Sequence, residues 1–170
     1  MGEENKKALE QQLWNIANEL RGKMDADEFR DYILGFIFYK YLSEKIENFT
    51  NELLKEDGIT FTSLDSNNPE HEEILNSLKD DCVQQLGYFL KPNELFSAMA
   101  KKGNSDNNNF ILDDLTQVLR HIESSTMGTE SEDDFEHLFE DLDLTSTKLG
   151  RTEEAKNKLI AKVLYHLDNI

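Results

Sequence analysis

Residues 13–49 read LWNIANELRGKMDADEFRDYILGFIFYKYLSEKIENF, and the reading of this stretch decides the fold. It divides into two helical halves at Gly22–Asp27. Ahead of the break, Leu9, Leu13, Ile16, Ala17, Leu20 and Met24 recur at helical spacing and make one apolar stripe. Asp25 stands as an N-cap for the second half, with Glu28 three residues on, as a capping box requires. Met24 and Phe29 occupy the two positions of a hydrophobic staple across that cap. Two helices are therefore expected to meet at a sharp, locally encoded corner.

The second half has almost no polar face before Lys40: Tyr32, Ile33, Leu34, Phe36, Ile37, Phe38, Tyr39, Tyr41 and Leu42 crowd it. A helix apolar all round is buried on several sides. The run is also too short for a bilayer, which needs about 20 residues. The expectation is an all-α fold, a compact multi-helix bundle around a central hydrophobic helix at about residues 29–48, packed on all sides. Long polar loops and at most a minor strand element complete it. Trp14, Phe36, Phe38, Tyr39 and Tyr41 read as core, and any of them that faces outward would form a docking patch. Gly35 costs about 1 kcal/mol relative to Ala in mid-helix, which a close helix–helix approach would offset.

Outward from this centre, the chain falls into further periodic segments. Helix one is expected from Asn5 to Arg21, and helix two from Ala26 to about Lys55, with a possible break near Phe49–Asn51. A polar loop at 59–68 ends at Asn68-Pro69, where Pro69 suits the first position of a third helix capped by Asn68 and running to about Leu86. A short helix at Asn93–Lys102, a loop at 101–109 and a helix at about Phe110–Ser124 follow. Phe135, Leu138, Phe139 and Leu142 mark one or two amphipathic turns, and 143–150 is a loop. From Thr152 a last amphipathic helix carries Leu159, Ile160, Val163, Leu164 and Leu167, still periodic at Ile170 as if leading elsewhere. Short extended pieces fit near Ile59–Phe61 and Tyr88–Leu90.

The 170 residues are expected to form a single domain. One cysteine, Cys82, excludes an internal disulfide and fits a reducing compartment, and its apolar company places it in the core. The N-terminus lacks an apolar signal segment. The expected location is therefore cytoplasmic, in which case the sequon Asn48-Phe49-Thr50 carries no meaning.

The net charge is −17. Residues 1–60 carry eight basic and 13 acidic side chains, residues 61–147 five against 19, and residues 148–170 five against three. So acidic a chain is no autonomous nucleic-acid binder, because phosphate contacts supply most non-specific affinity. DNA contact would be local or shared with partners. The one net-positive stretch, with Lys148, Arg151, Lys156, Lys158 and Lys162, is the candidate for contact with DNA or another subunit. The bland reading of these five is solubilising charge on a helix face.

The four histidines, His71, His121, His137 and His166, form no ligand pair at i, i+4 spacing, so surface or capping roles are expected and no metal site. Residues 106–110 lack the Gly of a calcium loop. The acidic run 130–143 reads as a solvated face. No phosphate-binding loop, nucleophile elbow or other catalytic set is present, and neither catalytic nor cofactor-binding residues are expected here.

The same residues resemble a known family. The pattern Leu13-Trp14, Leu20-Arg21-Gly22, Met24-Asp25, Tyr32 and Lys40-Tyr41-Leu42-Ser43 looks like the opening of the modification (M) subunit of type I restriction–modification systems. DLDLTSTKLG at 141–150 is similar to a segment near the end of the same domain. The resemblance implies an N-terminal helical domain whose parent is a site-specific, adenine-N6 DNA methyltransferase using S-adenosylmethionine. Its catalytic domain would follow residue 170. The family's Asn-Pro-Pro-aromatic motif is absent from these residues, so the segment itself is expected to be non-catalytic and to hold no cofactor. The implied partners are the specificity (S) subunit, other M subunits and the restriction (R) subunit, with DNA met through the complex and no membrane. The alternative is a free-standing acidic helical adaptor or DNA mimic.

Overall fold

The computed structural model describes residues 3–22, 25–104, 111–125, 144 and 149–169. Among them are six α-helices and no strand: α1 (Glu3–Leu20), α2 (Ala26–Leu54), α3 (Pro69–Leu86), α4 (Phe96–Gly103), α5 (Ile111–Ser125) and α6 (Glu153–Asp168). Short 3-10 turns at Lys55–Asp57, Phe61–Ser63 and Pro92–Glu94 join them. The all-α bundle expected from periodicity is what forms. Lys23, Met24 and the side chains of Glu28 and Phe29 lie outside the described residues, as do 105–110, 126–143 and 145–148. The proposed capping box and staple, the acidic run, His137 and Lys148 therefore fall there.

α2 runs unbroken past Phe49–Asn51. Thr50, fully buried, donates its hydroxyl to the Ile46 carbonyl one turn back at 2.7 Å, so the polar group is satisfied within the helix. The inward face of α2 supplies Tyr32, Ile33, Phe36, Tyr39, Leu42 and Ile46 to the core. Each such side chain contributes about 1.5–3 kcal/mol on burial. Tyr39 packs edge-on against Phe96, with ring centroids 5.2 Å apart.

α6 is the other organiser, lying against α4 and α1 most extensively and also against α5 and α2. Where α4 ends, Gly103 meets Ala161 of α6. A Cβ added at Gly103 would stand 3.1 Å from Ala161 Cβ, so the absent side chain allows the two helices to approach. Gly150, before α6, is confined likewise: a Cβ there would fall 2.9 Å from the Lys156 amide nitrogen. Thr152 then caps α6, its hydroxyl accepting from the Ala155 amide at 3.1 Å.

The expected start of α3 is present, with Asn68 Oδ1 accepting from the Glu70 amide at 3.0 Å and Pro69 in first position. Gly87 ends that helix at φ 88°. Neither suggested strand forms among the described residues. Phe61 begins a 3-10 turn, and Tyr88, Phe89 and Leu90 are a buried segment without regular secondary structure. The loop expected at 101–109 begins later, because α4 continues to Gly103.

Two expectations fail together. α2 is not packed on all sides: Leu34, Ile37 and Tyr41 are 58%, 36% and 54% exposed, on one face of the helix. Trp14, read as core, is 58% exposed on α1. The reason is topological. α3, α4 and α6 cover the inner faces of α2, and α1 leans chiefly on α6, so no described element covers the outer face of the corner.

Candidate interaction surfaces

The outer face of the corner is a contiguous apolar feature left open among the described residues. α1 and α2 border a groove of about 380 Å³ lined by Leu13, Trp14 and Ala17 from one helix and by Arg30, Ile33 and Leu34 from the other. Leu34, Ile37 and Tyr41 continue it along α2 at spacings of three and four. Cations sit over the two rings exposed on this face, Arg21 at 5.9 Å from the Trp14 centroid and Lys45 at 5.9 Å from that of Tyr41. Scattered exposed apolar side chains are ordinary, but a contiguous stripe marks a place for a partner.

The basic residues near the C-terminus do not act as one cluster. Arg151 is exposed at the mouth of α6. Lys156 is buried to 8% exposure and reaches Glu153 at 3.4 Å. Lys158 pairs with Glu154 at 3.0 Å, and Lys162 pairs with Glu19 of α1 at 3.6 Å. Arg151, Lys158 and Lys162 therefore present charge outward, while Lys156 is spent within the fold.

The described histidines serve as ties. His71 Nδ1 accepts from the Asp65 amide at 2.9 Å and holds the loop before α3. His121 Nδ1 lies 2.9 Å from both carboxylate oxygens of Glu94, joining α5 to the turn before α4. That carboxylate also accepts from the Lys91 amide, and the Glu94 carbonyl accepts from the Tyr39 hydroxyl. His166 approaches Glu19 at 3.9 Å. A second, polar concavity of about 360 Å³ beside these residues contains the Lys102–Asp114 ion pair. No group of three metal-donor side chains gathers among the described residues.

Burial, with Asp81 adding, pushes the Cys82 thiol from 9.0 up to about 12. This side chain is core, as its neighbours in sequence suggested. Burial likewise holds the Tyr39 and Tyr88 hydroxyls above their usual value, with Glu94 adding for Tyr39.

What periodicity missed is a set of side chains that finish other elements' backbones. Ser43 Oγ accepts from the Phe96 amide at 2.9 Å and so caps α4 from α2. Asn51 Oδ1 accepts from the Phe61 amide at 2.7 Å, anchoring the 3-10 turn. Asn157, 3% exposed, accepts from the Leu112 amide at 2.9 Å and donates to the Glu153 carbonyl at 2.8 Å. It thereby caps α5 from α6. The only sequence signal for these was a small polar residue on an otherwise apolar helix face.

With the geometry in place, comparison with known proteins is direct. Residues 9–167 match the family model described as the HsdM N-terminal domain. The type I restriction enzyme MpnII methylase subunit of Mycoplasma pneumoniae is 30% identical over 173 residues, an alignment spanning 98% of this chain and 31% of that protein. The crystal structure of the methyltransferase subunit of a type I restriction–modification system from Streptococcus thermophilus superposes with a TM-score of 0.73. Its sequence identity is 36%, over 96% of this chain and 34% of that one. The chain thus spans about a third of the length of these relatives. A match of this extent does not favour the free-standing adaptor. No described helix is long and apolar enough to cross a membrane. On the strength of a family match that runs through nearly every helix, the chain belongs to the HsdM N-terminal domain family.

Proposed function

We propose that this chain is the N-terminal helical module of a type I modification subunit, contributing assembly surface and DNA clamping but no chemistry. The observation that carries this is the family match over residues 9–167, which includes both faces of the α1–α2 corner and all of α6 up to Leu167. In this reading the parent transfers a methyl group from S-adenosylmethionine to adenine N6 in the cytoplasm. Cofactor and catalytic residues belong to a domain following Ile170. Specificity, restriction and further modification subunits are the partners, and DNA is met through the complex.

The two surfaces divide the work. The apolar face of α1 and α2 meets another subunit, since burying it returns about 25 cal/mol per Å² of apolar area. Arg151, Lys158 and Lys162, with Lys148, are the residues for phosphate or an acidic subunit surface. Their exposed ion pairs with Glu154 and Glu19 are worth about 0–1 kcal/mol each, so a phosphate displaces them at little cost.

The test is replacement of Arg151, Lys158 and Lys162 by Ala in the complete methylase complex. DNA affinity should fall and the slope of log affinity against log salt should flatten by up to about three phosphate contacts. Unchanged affinity and slope would leave only solubilising charge. Separately, this 170-residue chain incubated with labelled S-adenosylmethionine and adenine-containing DNA should transfer no label, and turnover would refute the non-catalytic assignment.

A further inference from the structure

The polar concavity between α4 and α5 is ordered along its length. Lys102 near the end of α4 meets Asp114 near the start of α5, while Glu94 just ahead of α4 meets His121 farther along α5. The two helices therefore run antiparallel, and a charged pair stands at each end of a trough of about 360 Å³. Asp114, Gln117 and Val118 lie on one face of α5, and His121 continues that face one turn on. Met99 and Val118, 3% and 4% exposed, form an apolar floor with Ala98. Asn93 and Gln117 stand exposed on the rim.

The charges along the trough are not equally available. The Asp114 carboxylate is answered by Lys102, and the Glu94 carboxylate by His121 Nδ1 and by the Lys91 amide at 2.8 Å. The Lys91 ammonium is exposed and has no ion pair among the described residues. A ligand that fits therefore carries an anion for Lys91. Its body is flat and apolar enough to lie on the floor, where the Met99 thioether packs well against an aromatic ring. Its edge offers donors and acceptors together, because each rim carboxamide presents both. Nucleobases have such an edge, and Asn and Gln pair with it bidentately.

We infer that this trough binds a nucleoside monophosphate, with the base over Met99 and Val118 between Asn93 and Gln117 and the phosphate at Lys91 Nζ. The volume falls within the range of small-molecule sites, about 300–1,000 Å³. The trough shares no residue with the α1–α2 groove or with the basic residues of α6, so it is independent of the subunit and DNA contacts assigned to those surfaces. The same chemistry is offered by a free nucleotide and by a nucleotide at the end of a single DNA strand.

Titration of the isotope-labelled 170-residue chain with adenosine monophosphate, followed through amide chemical shifts, tests the inference. Saturable shifts centred on Asn93, Met99, Gln117 and Val118 are expected below roughly 1 mM. Adenosine should bind about tenfold more weakly, lacking the charge-assisted contact. Lys91→Ala should bring the nucleotide down to that level and leave adenosine where it was. Gln117→Ala should weaken both by about fivefold. Both side chains are exposed, so neither variant opens the core, and Lys79→Ala on α3 should bind as wild type does. No saturation by roughly 10 mM nucleotide overturns the inference, as do shifts centred elsewhere. It falls equally if Lys91→Ala or Gln117→Ala binds the nucleotide undiminished, or if inorganic phosphate alone binds as tightly as the nucleotide. A single-stranded trinucleotide separates the sources: tighter binding than the mononucleotide assigns the trough to a strand end, and equal or weaker binding assigns it to a free nucleotide.

Discussion

α1 and α6 are helices of similar length, 18 and 16 residues, that lie against each other, yet the bundle treats them oppositely. α6 buries eight residues, two of them polar. Among its described side chains, α1 fully buries Ile16 and leaves Leu9 and Trp14 out. The difference is larger than apolar content accounts for, with seven apolar side chains of 18 in α1 against eight of 16 in α6. What sets the two apart is the number of neighbours: α6 is bordered by α1, α2, α4 and α5, and α1 chiefly by α6. Burial is thus conferred by position in the bundle, and a large apolar side chain on a sparsely covered helix becomes a surface for something else.

This contrast makes quantitative demands. The largest effect is expected for Leu164→Ala in the centre of α6, a loss of about 2–5 kcal/mol in denaturant unfolding. A loss under about 1 kcal/mol would mean that α6 is not the packed centre. Asn157→Ala should cost about 1–3 kcal/mol, since the Leu112 amide loses its acceptor in a buried place. Amide exchange at the start of α5 should quicken with it. Ser43→Ala should cost about 1 kcal/mol through the same loss at the start of α4.

Cys82 separates the interior from the corner by chemistry. Its thiol should resist alkylation in the folded chain and react once denaturant opens the core. The folded pKa of about 12 exceeds the ordinary 9.0, so the native state holds this proton more tightly than the unfolded chain does. Its contribution is intact below pH 9, and stability is lost as pH rises from there toward 12. The smallest effect should come from Trp14→Ala, within about 0.5 kcal/mol, against the several kcal/mol that a buried tryptophan loses. A large loss there would close the groove and contradict its exposure.

The helices themselves were legible because their signals are local. Asn68-Pro69 began α3 and Gly87 ended it, and the spacing of Ile111, Leu115, Val118, Leu119 and Ile122 marked the inner face of α5. The side of α2 left bare was not legible. Phe36 and Ile37 are adjacent and equally apolar, and only the arrangement of α3, α4 and α6 makes one 0% and the other 36% exposed. The sorting of the basic residues near the C-terminus was hidden for the same reason. Lys156 and Lys158 differ by two positions on a helix, which turns one inward and the other to solvent. For the interaction surfaces, sequence named the basic residues and, of the apolar ones, Trp14 and Tyr41, while Leu34 and Ile37 emerged only from the packing.

The caps on α4, on α5 and on the turn at Phe61 come from Ser43, Asn157 and Asn51, residues distant in the chain. A helix whose opening amide is answered from elsewhere has no independent beginning. α4 and α5 each start well only when α2 and α6 are already seated, which couples distant stretches into one transition. A break anywhere in the bundle should therefore be felt as a general loosening, with no part left folded while another melts.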